Sequence, residues 1–135
     1  MLFGEVDAAP PGASCSKEET INAEAAASDA RDWDALYDAF HRFSHCEDRA
    51  VAAGFTHSVV WMLASRWDDL HDLEHLAEAN RRFRAFVLRH IDATADEVDL
   101  RRIIARTTKC PGHARPLCRE IDRRARAALR EMGKE

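Results

Sequence analysis

Apolar residues recur along this chain at steps of three and four, the period of a helix that buries one face. Trp33, Leu36, Tyr37, Phe40 and Phe43 fall at i, i+3, i+4, i+7 and i+10, one continuous stripe. Similar stripes run through Trp67, Leu70, Leu73 and Leu76, then Phe83, Phe86, Val87 and Ile91. Two more run through Val98, Leu100, Ile103 and Ile104, and through Leu117, Ile121, Ala125, Ala128, Leu129 and Met132. No segment shows the period of two that marks a strand. The expected fold is therefore all-α, a compact bundle or short α-α superhelix of about seven or eight short helices. Its core should centre on Trp33, Phe40, Val59, Val60, Leu63, Leu73 and Phe86.

Polar punctuation places the ends of these elements. Ser16 followed by Glu19 is a capping-box pattern, and Asp32 is positioned to cap the next helix. After Cys46, the run EDRAVAAG predicts a short helix stopped by Gly54, with Thr56 or Ser58 opening another. A break is expected near Asn80, a second capping box at Thr94 with Glu97, and a last helix from about Pro116. Residues 1–15 are rich in Pro and Gly and lack a period, which predicts a flexible N-terminal arm ahead of a single helical domain over 16–135. A constant offset of 34 residues aligns Trp33 with Trp67, Leu36 with Leu70 and His41 with His75. Shared helix-start chemistry explains this more simply than duplication, because no third copy follows.

At 135 residues, 46% hydrophobic and 33% charged, the chain has a globular composition and the length of one domain. Its net charge of −4 conceals an asymmetry. Residues 1–80 carry 5 Lys and Arg against 16 Asp and Glu, whereas residues 81–135 carry 15 against 8. Either acidic and basic helices neutralise one another locally, or the molecule presents a basic surface to an acidic partner or to a second copy in a homo-oligomer. No stretch approaches the ~20 apolar residues of a membrane span. Residues 1–14 lack the basic start and apolar run of an intact signal peptide.

Four cysteines permit two disulfides. A Pro and Gly turn inside Cys110-Pro111-Gly112-His113-Ala114-Arg115-Pro116-Leu117-Cys118 can fold one sulfur onto the other, so the favoured pairing is Cys110 with Cys118 and Cys15 with Cys46. Disulfides imply a periplasmic or secreted protein; four reduced thiols would imply the cytoplasm.

Candidate chemistry is sparse. His71-Asp72-Leu73-Glu74-His75 matches the HxxEH pattern of inverted zinc peptidases, but the further glutamate ligand of that family lies beyond the reach of so short a chain. His41 with His45, and His71 with His75, are i, i+4 pairs that would hold a transition metal if they faced each other. Cys110, His113 and Cys118 are a third candidate ligand set. Phe40 and Phe43 rather than the histidines define the buried stripe, so no metal is favoured and no cofactor is expected. Adjacent His45 and Cys46 would point about 100° apart on a helix, which does not make a catalytic dyad. Nine arginines between residues 101 and 130 resemble a nucleic-acid footprint, but Glu120, Asp122 and Glu131 interrupt them.

Read in order, Cys46-Glu47-Asp48, Gly54-Phe55, Ser58-Val59-Val60, Arg66-Trp67, Phe86 to Asp92, Cys110-Pro111 and Leu117-Cys118 give a resemblance over residues 43–121. The chain resembles small uncharacterised helical proteins of Gram-negative bacteria that are often exported. That resemblance implies an envelope location and a cysteine-stabilised helical fold, and supplies no catalytic residues. The expected function is an exported module that binds another protein, such as an inhibitor or immunity-type partner of a toxin or envelope enzyme, and is not an enzyme. Its interface would draw on Asp68, Asp69, Asp72, Glu74 and Glu78, acids suited to a basic cleft. The alternatives are metal binding through the paired histidines and nucleic-acid binding through the Arg-rich C-terminal helices.

Overall fold

Side-chain caps decide where the helices begin. A computed structural model describes residues 14–134, so the arm expected over 1–15 lies, except for Ser14 and Cys15, outside the described residues. Ser16 and Glu19 close a reciprocal capping box at the start of α1 (Lys17–Asp29), and Asp32 caps α2 (Trp33–Phe43) through the Ala35 N–H. A 3-10 turn over Ser44–Cys46 leads to α3 (Arg49–Ser65), capped by Asp48. A second 3-10 turn at Trp67–Asp69 opens α4 (Leu70–Ala79), and Asn80 caps α5 (Arg81–Arg89). Then follow α6 (Glu97–Thr107), a 3-10 turn at Gly112–Ala114, and α7 (Arg115–Glu131). The described residues thus form an all-α bundle of seven helices.

Two boundaries differ from expectation. α3 is one unbroken helix through Gly54, where a stop was expected. Gly54 is there for close approach: a Cβ at this position would stand 3.1 Å from the Cβ of Ala27 and from the backbone N and Oγ of Ser28. Ala23 and Ala27 on α1 are likewise fully buried, so small residues on both sides let the α1 and α3 backbones meet. Buried Ser58 fastens the seam by donating its hydroxyl to the Ala27 carbonyl. The second difference is the start of α6. Asp96, not Thr94, accepts from the N–H three residues on, while Thr94 turns back to Asp92.

The core runs through every helix. Trp33, Leu36, Phe55, Leu63, Leu73, Phe83, Phe86 and Ile103 are all at most 2% exposed. Phe86 sits at the centre, its ring centroid 4.8 Å from both Phe40, which is tilted to it, and Phe55, which meets it edge-to-face, so aromatic contacts join α2, α3 and α5 there. α7 packs on α6 and α5, and α6 on α3. Both expected cysteine pairs are joined. Cys15–Cys46, with Cα atoms 5.1 Å apart, ties the chain ahead of α1 to the turn after α2. Cys110–Cys118, at 6.3 Å, ties the preceding loop to the first turns of α7. Of the residues aligned by the 34-residue offset, Leu36 and Leu70 are both buried, but the two tryptophans have unlike surroundings. Trp33 is buried at the start of α2, while half-buried Trp67 lies in a 3-10 turn and donates to the Lys109 carbonyl.

Candidate functional site

The acids expected to form an interface lie along the 3-10 turn and α4. Asp68 and Asp72, one helical turn apart, are exposed, as is Glu78. Asp69 is engaged by Arg66 at 2.7 Å and Glu74 by His113 Nδ1 at 2.7 Å. Glu74, Glu78 and His113 line a cleft of only about 110 Å³ where α4 meets the start of α7. Glu74 therefore faces His113 rather than serving the HxxEH pattern.

The paired histidines do not converge. His41 packs edge-on against Tyr37, with ring centroids 4.5 Å apart, and His71 and His75 are exposed on α4. Cys110 and Cys118 are bonded to each other, which removes them as ligands beside His113. His45 has different neighbours: its Nε2 lies 3.3 Å from Glu19 Oε2 and 3.5 Å from Cys46 Sγ. Together with Cys15 these form the one group of three or more metal-ligand side chains among the described residues, their ligand atoms all within 4.8 Å of one another. The backbone N–H of Ser16, and then the His45 ring, hold the Glu19 carboxyl below its ordinary value of 4.5.

A buried polar chain joins residues that no sequence pattern connected. His90, 2% exposed, makes a 2.8 Å contact from Nδ1 to Thr56 Oγ1, and Thr56 donates to Asp92 Oδ2 at 3.1 Å. Because Thr56 has a single proton, the ring Nδ1 must supply the one in the His90–Thr56 bond. On its other side His90 Nε2 lies 2.8 Å from Glu47 Oε2, an ion-pair distance whose approach is off the hydrogen-bond direction. Arg89 completes the set at 3.0 Å from the same Glu47 oxygen. Burial raises the Glu47 carboxyl, but the facing His90 ring and the Arg89 guanidinium outweigh it and leave the group below its ordinary 4.5. The sequence has the appearance of a Thr-His-Glu relay, yet Thr56 is only 3% exposed, so its hydroxyl meets no substrate from solvent. The chain instead pins α3 and the turn after α2 to the end of α5. Its members are 34 to 36 positions apart across the Thr56 bonds, beyond any local period.

Two adjoining depressions lie on the basic part of the molecule. Between α6 and α7, Arg101, Ile104, Arg126, Leu129 and Arg130 line a depression of about 410 Å³. Arg126 also borders a second of about 420 Å³, lined with Arg115, Arg119 and the Cys110–Cys118 bridge, so the two adjoin. Arg101 and Arg126 are held by Glu97 and Asp122 at 3.0 Å one turn away. Arg115, Arg119 and Arg130 have no carboxylate within ion-pair distance among the described residues. Ion pairs between the acidic and basic parts of the chain are few: Glu47 with Arg89 and His90, and Glu74 with His113. The other ion pairs stay within one part, so the charge asymmetry survives folding.

Set against family models, curated proteins and solved structures, the chain matches none of them. Among the described residues no helix is long and apolar enough to cross a membrane.

Proposed function

We propose that this chain is an exported helical module that binds another protein, presenting the groove between α6 and α7 to an acidic segment of its partner. The observation that carries this reading is the groove itself, an apolar floor of Ile104 and Leu129 flanked by Arg101, Arg126 and Arg130 and continued by Arg115 and Arg119 in the adjoining depression, three of the five without a carboxylate partner among the described residues. Arginine is the cation favoured at interfaces, because its planar fork binds carboxylates bidentately and its stem covers apolar surface. The apolar floor suits a peptide carrying both acids and aliphatic side chains better than a nucleic-acid backbone. An oxidising compartment, periplasmic or extracellular, accords with the two disulfides and with the resemblance to exported proteins. An inhibitor or immunity-type role fits a module that acts by occupying a partner rather than by catalysis.

Selection of displayed peptides on the intact, oxidised chain tests this reading. Recovered sequences should be rich in Asp and Glu with interspersed Leu or Ile. Their affinity should fall as salt rises, and should be lost in Arg119→Glu/Arg130→Glu, a variant that breaks no ion pair. Recovery of sequences without acidic bias, or binding indifferent to the two reversals, would sink the proposal. Tighter binding of an oligonucleotide of equal charge would replace it with the nucleic-acid alternative. A second reading is favoured by exposed Asp68 and Asp72, one turn apart without cationic partners among the described residues, which form an acidic edge for a basic cleft. Asp68→Asn/Asp72→Asn separates the two readings, since it leaves the groove untouched.

A further inference from the structure

We propose that Cys15, Glu19, His45 and Cys46 form a redox-gated site for a thiophilic divalent cation of the Zn2+ class, closed while the Cys15–Cys46 disulfide is intact and open once it is reduced. Two thiolates, an imidazole and a carboxylate are a zinc-type donor set, and their ligand atoms already cluster within 4.8 Å of one another. Tetrahedral Zn2+ at ordinary bond lengths sets its nitrogen and oxygen ligands roughly 3.3 Å apart, and its nitrogen and sulfur ligands roughly 3.5 Å apart. His45 Nε2 stands 3.3 Å from Glu19 Oε2 and 3.5 Å from Cys46 Sγ, so two edges of that tetrahedron exist before any metal arrives. The remaining mismatch is between the sulfurs, which zinc would hold roughly 3.8 Å apart and which are now bonded.

Local structure holds each ligand in place. Glu19 uses Oε1 in the capping box, accepting from the Ser16 N–H at 3.0 Å, and this leaves Oε2 aimed at His45. His45 and Cys46 share one 3-10 turn, and Cys15 lies directly before the cap of α1. His45 Nδ1 is buried without a partner, so the second hydrogen bond that usually orients a zinc-bound histidine is missing. The site should accordingly bind more weakly than a structural zinc centre. Opening it requires a dithiol reductant, which gives two electrons and two protons to cleave the Sγ–Sγ bond and becomes a disulfide itself. The cation then displaces both thiol protons to solvent.

The full chain carrying Cys110→Ser/Cys118→Ser retains only the relevant pair. Reduced with a phosphine, which is converted to its oxide by one water and adds no competing thiol, it would be titrated with Co2+. The expected result is one equivalent bound per chain with the intense visible and charge-transfer absorption of tetrahedral cobalt thiolate, displaced by Zn2+ and absent from the oxidised protein. His45→Ala and Glu19→Gln should each weaken uptake and alter that absorption. Failure of the reduced chain to develop the thiolate absorption, or an absorption unchanged by His45→Ala, overturns the proposal. Helix content followed by circular dichroism covers the case in which reduction loosens α1: Zn2+ should restore the lost signal, and a signal it does not restore counts equally against the site.

Discussion

Glu47 is the residue on which the buried polar chain turns. Its side chain is 15% exposed and faces both the His90 ring and the Arg89 guanidinium, so ionisation is favoured in the fold relative to the free side chain. A carboxyl held below its ordinary value of 4.5 contributes stability that is complete above that value and disappears as pH falls through the lower folded one. Glu47→Gln should therefore destabilise the protein at neutral pH by roughly 1–3 kcal/mol, the cost of leaving buried polar partners uncompensated. The difference between variant and parent should close in acid, below about pH 4.5. Urea midpoints of both proteins across the acid range check this, and a gap of constant size would show that packing rather than charge is responsible. None of this was legible in the sequence. Glu47, Thr56, His90 and Asp92 are ordinary polar residues until folding brings distant turns together.

At the scale of elements, the helix starts were readable because a cap acts over three residues. Ser16 with Glu19, Asp32 and Asn80 all mark the boundaries expected of them. Gly54 was misread for the opposite reason: a helix-ending glycine and a close-packed one look identical until the neighbouring helix is known. The apolar pattern predicted the core well, since Trp33, Phe40, Val59, Val60, Leu63, Leu73 and Phe86 are all buried. The cysteine pairs were legible too, whereas the convergence of α6 and α7 arginines on a groove needed the crossing of two helices. The α1–α3 seam permits a graded test. Ala at position 54 gains up to about 1 kcal/mol of helix propensity over Gly. Against that, its Cβ would press on the Ser28 backbone and Ala27 Cβ at 3.1 Å, and overpacking costs about 1–3 kcal/mol. Stability should fall in the order Gly54, Gly54→Ala, Gly54→Val, read from thermal midpoints. A stabilised Gly54→Ala would mean that α1 shifts freely.

That seam also explains why the whole molecule depends unequally on its two cross-links. α1 gives the core only small buried side chains, Ala23 and Ala27, while its Ile21 is 63% exposed, so apolar burial holds this helix weakly. Cys15–Cys46 spans 31 positions and fixes the N-terminal side of α1 to the turn after α2, whereas Cys110–Cys118 spans 8 and tightens one loop. Chain-entropy arithmetic assigns about 3.7 kcal/mol to the first closure and about 2.5 kcal/mol to the second. Cys15→Ser/Cys46→Ser should thus lower the urea unfolding free energy more than Cys110→Ser/Cys118→Ser. It should also expose α1 amides to hydrogen exchange, while the second variant affects mainly the start of α7. Loss of both closures would remove roughly 6 kcal/mol, comparable with the entire stability of many domains of this size. The fully reduced chain should therefore be close to unfolding, a state in which a cation held by Cys15, Glu19, His45 and Cys46 would replace the covalent tie at the same place. Equal losses from the two double variants would instead mean that α1 is held by its packing, and that the longer cross-link adds no more than the shorter one.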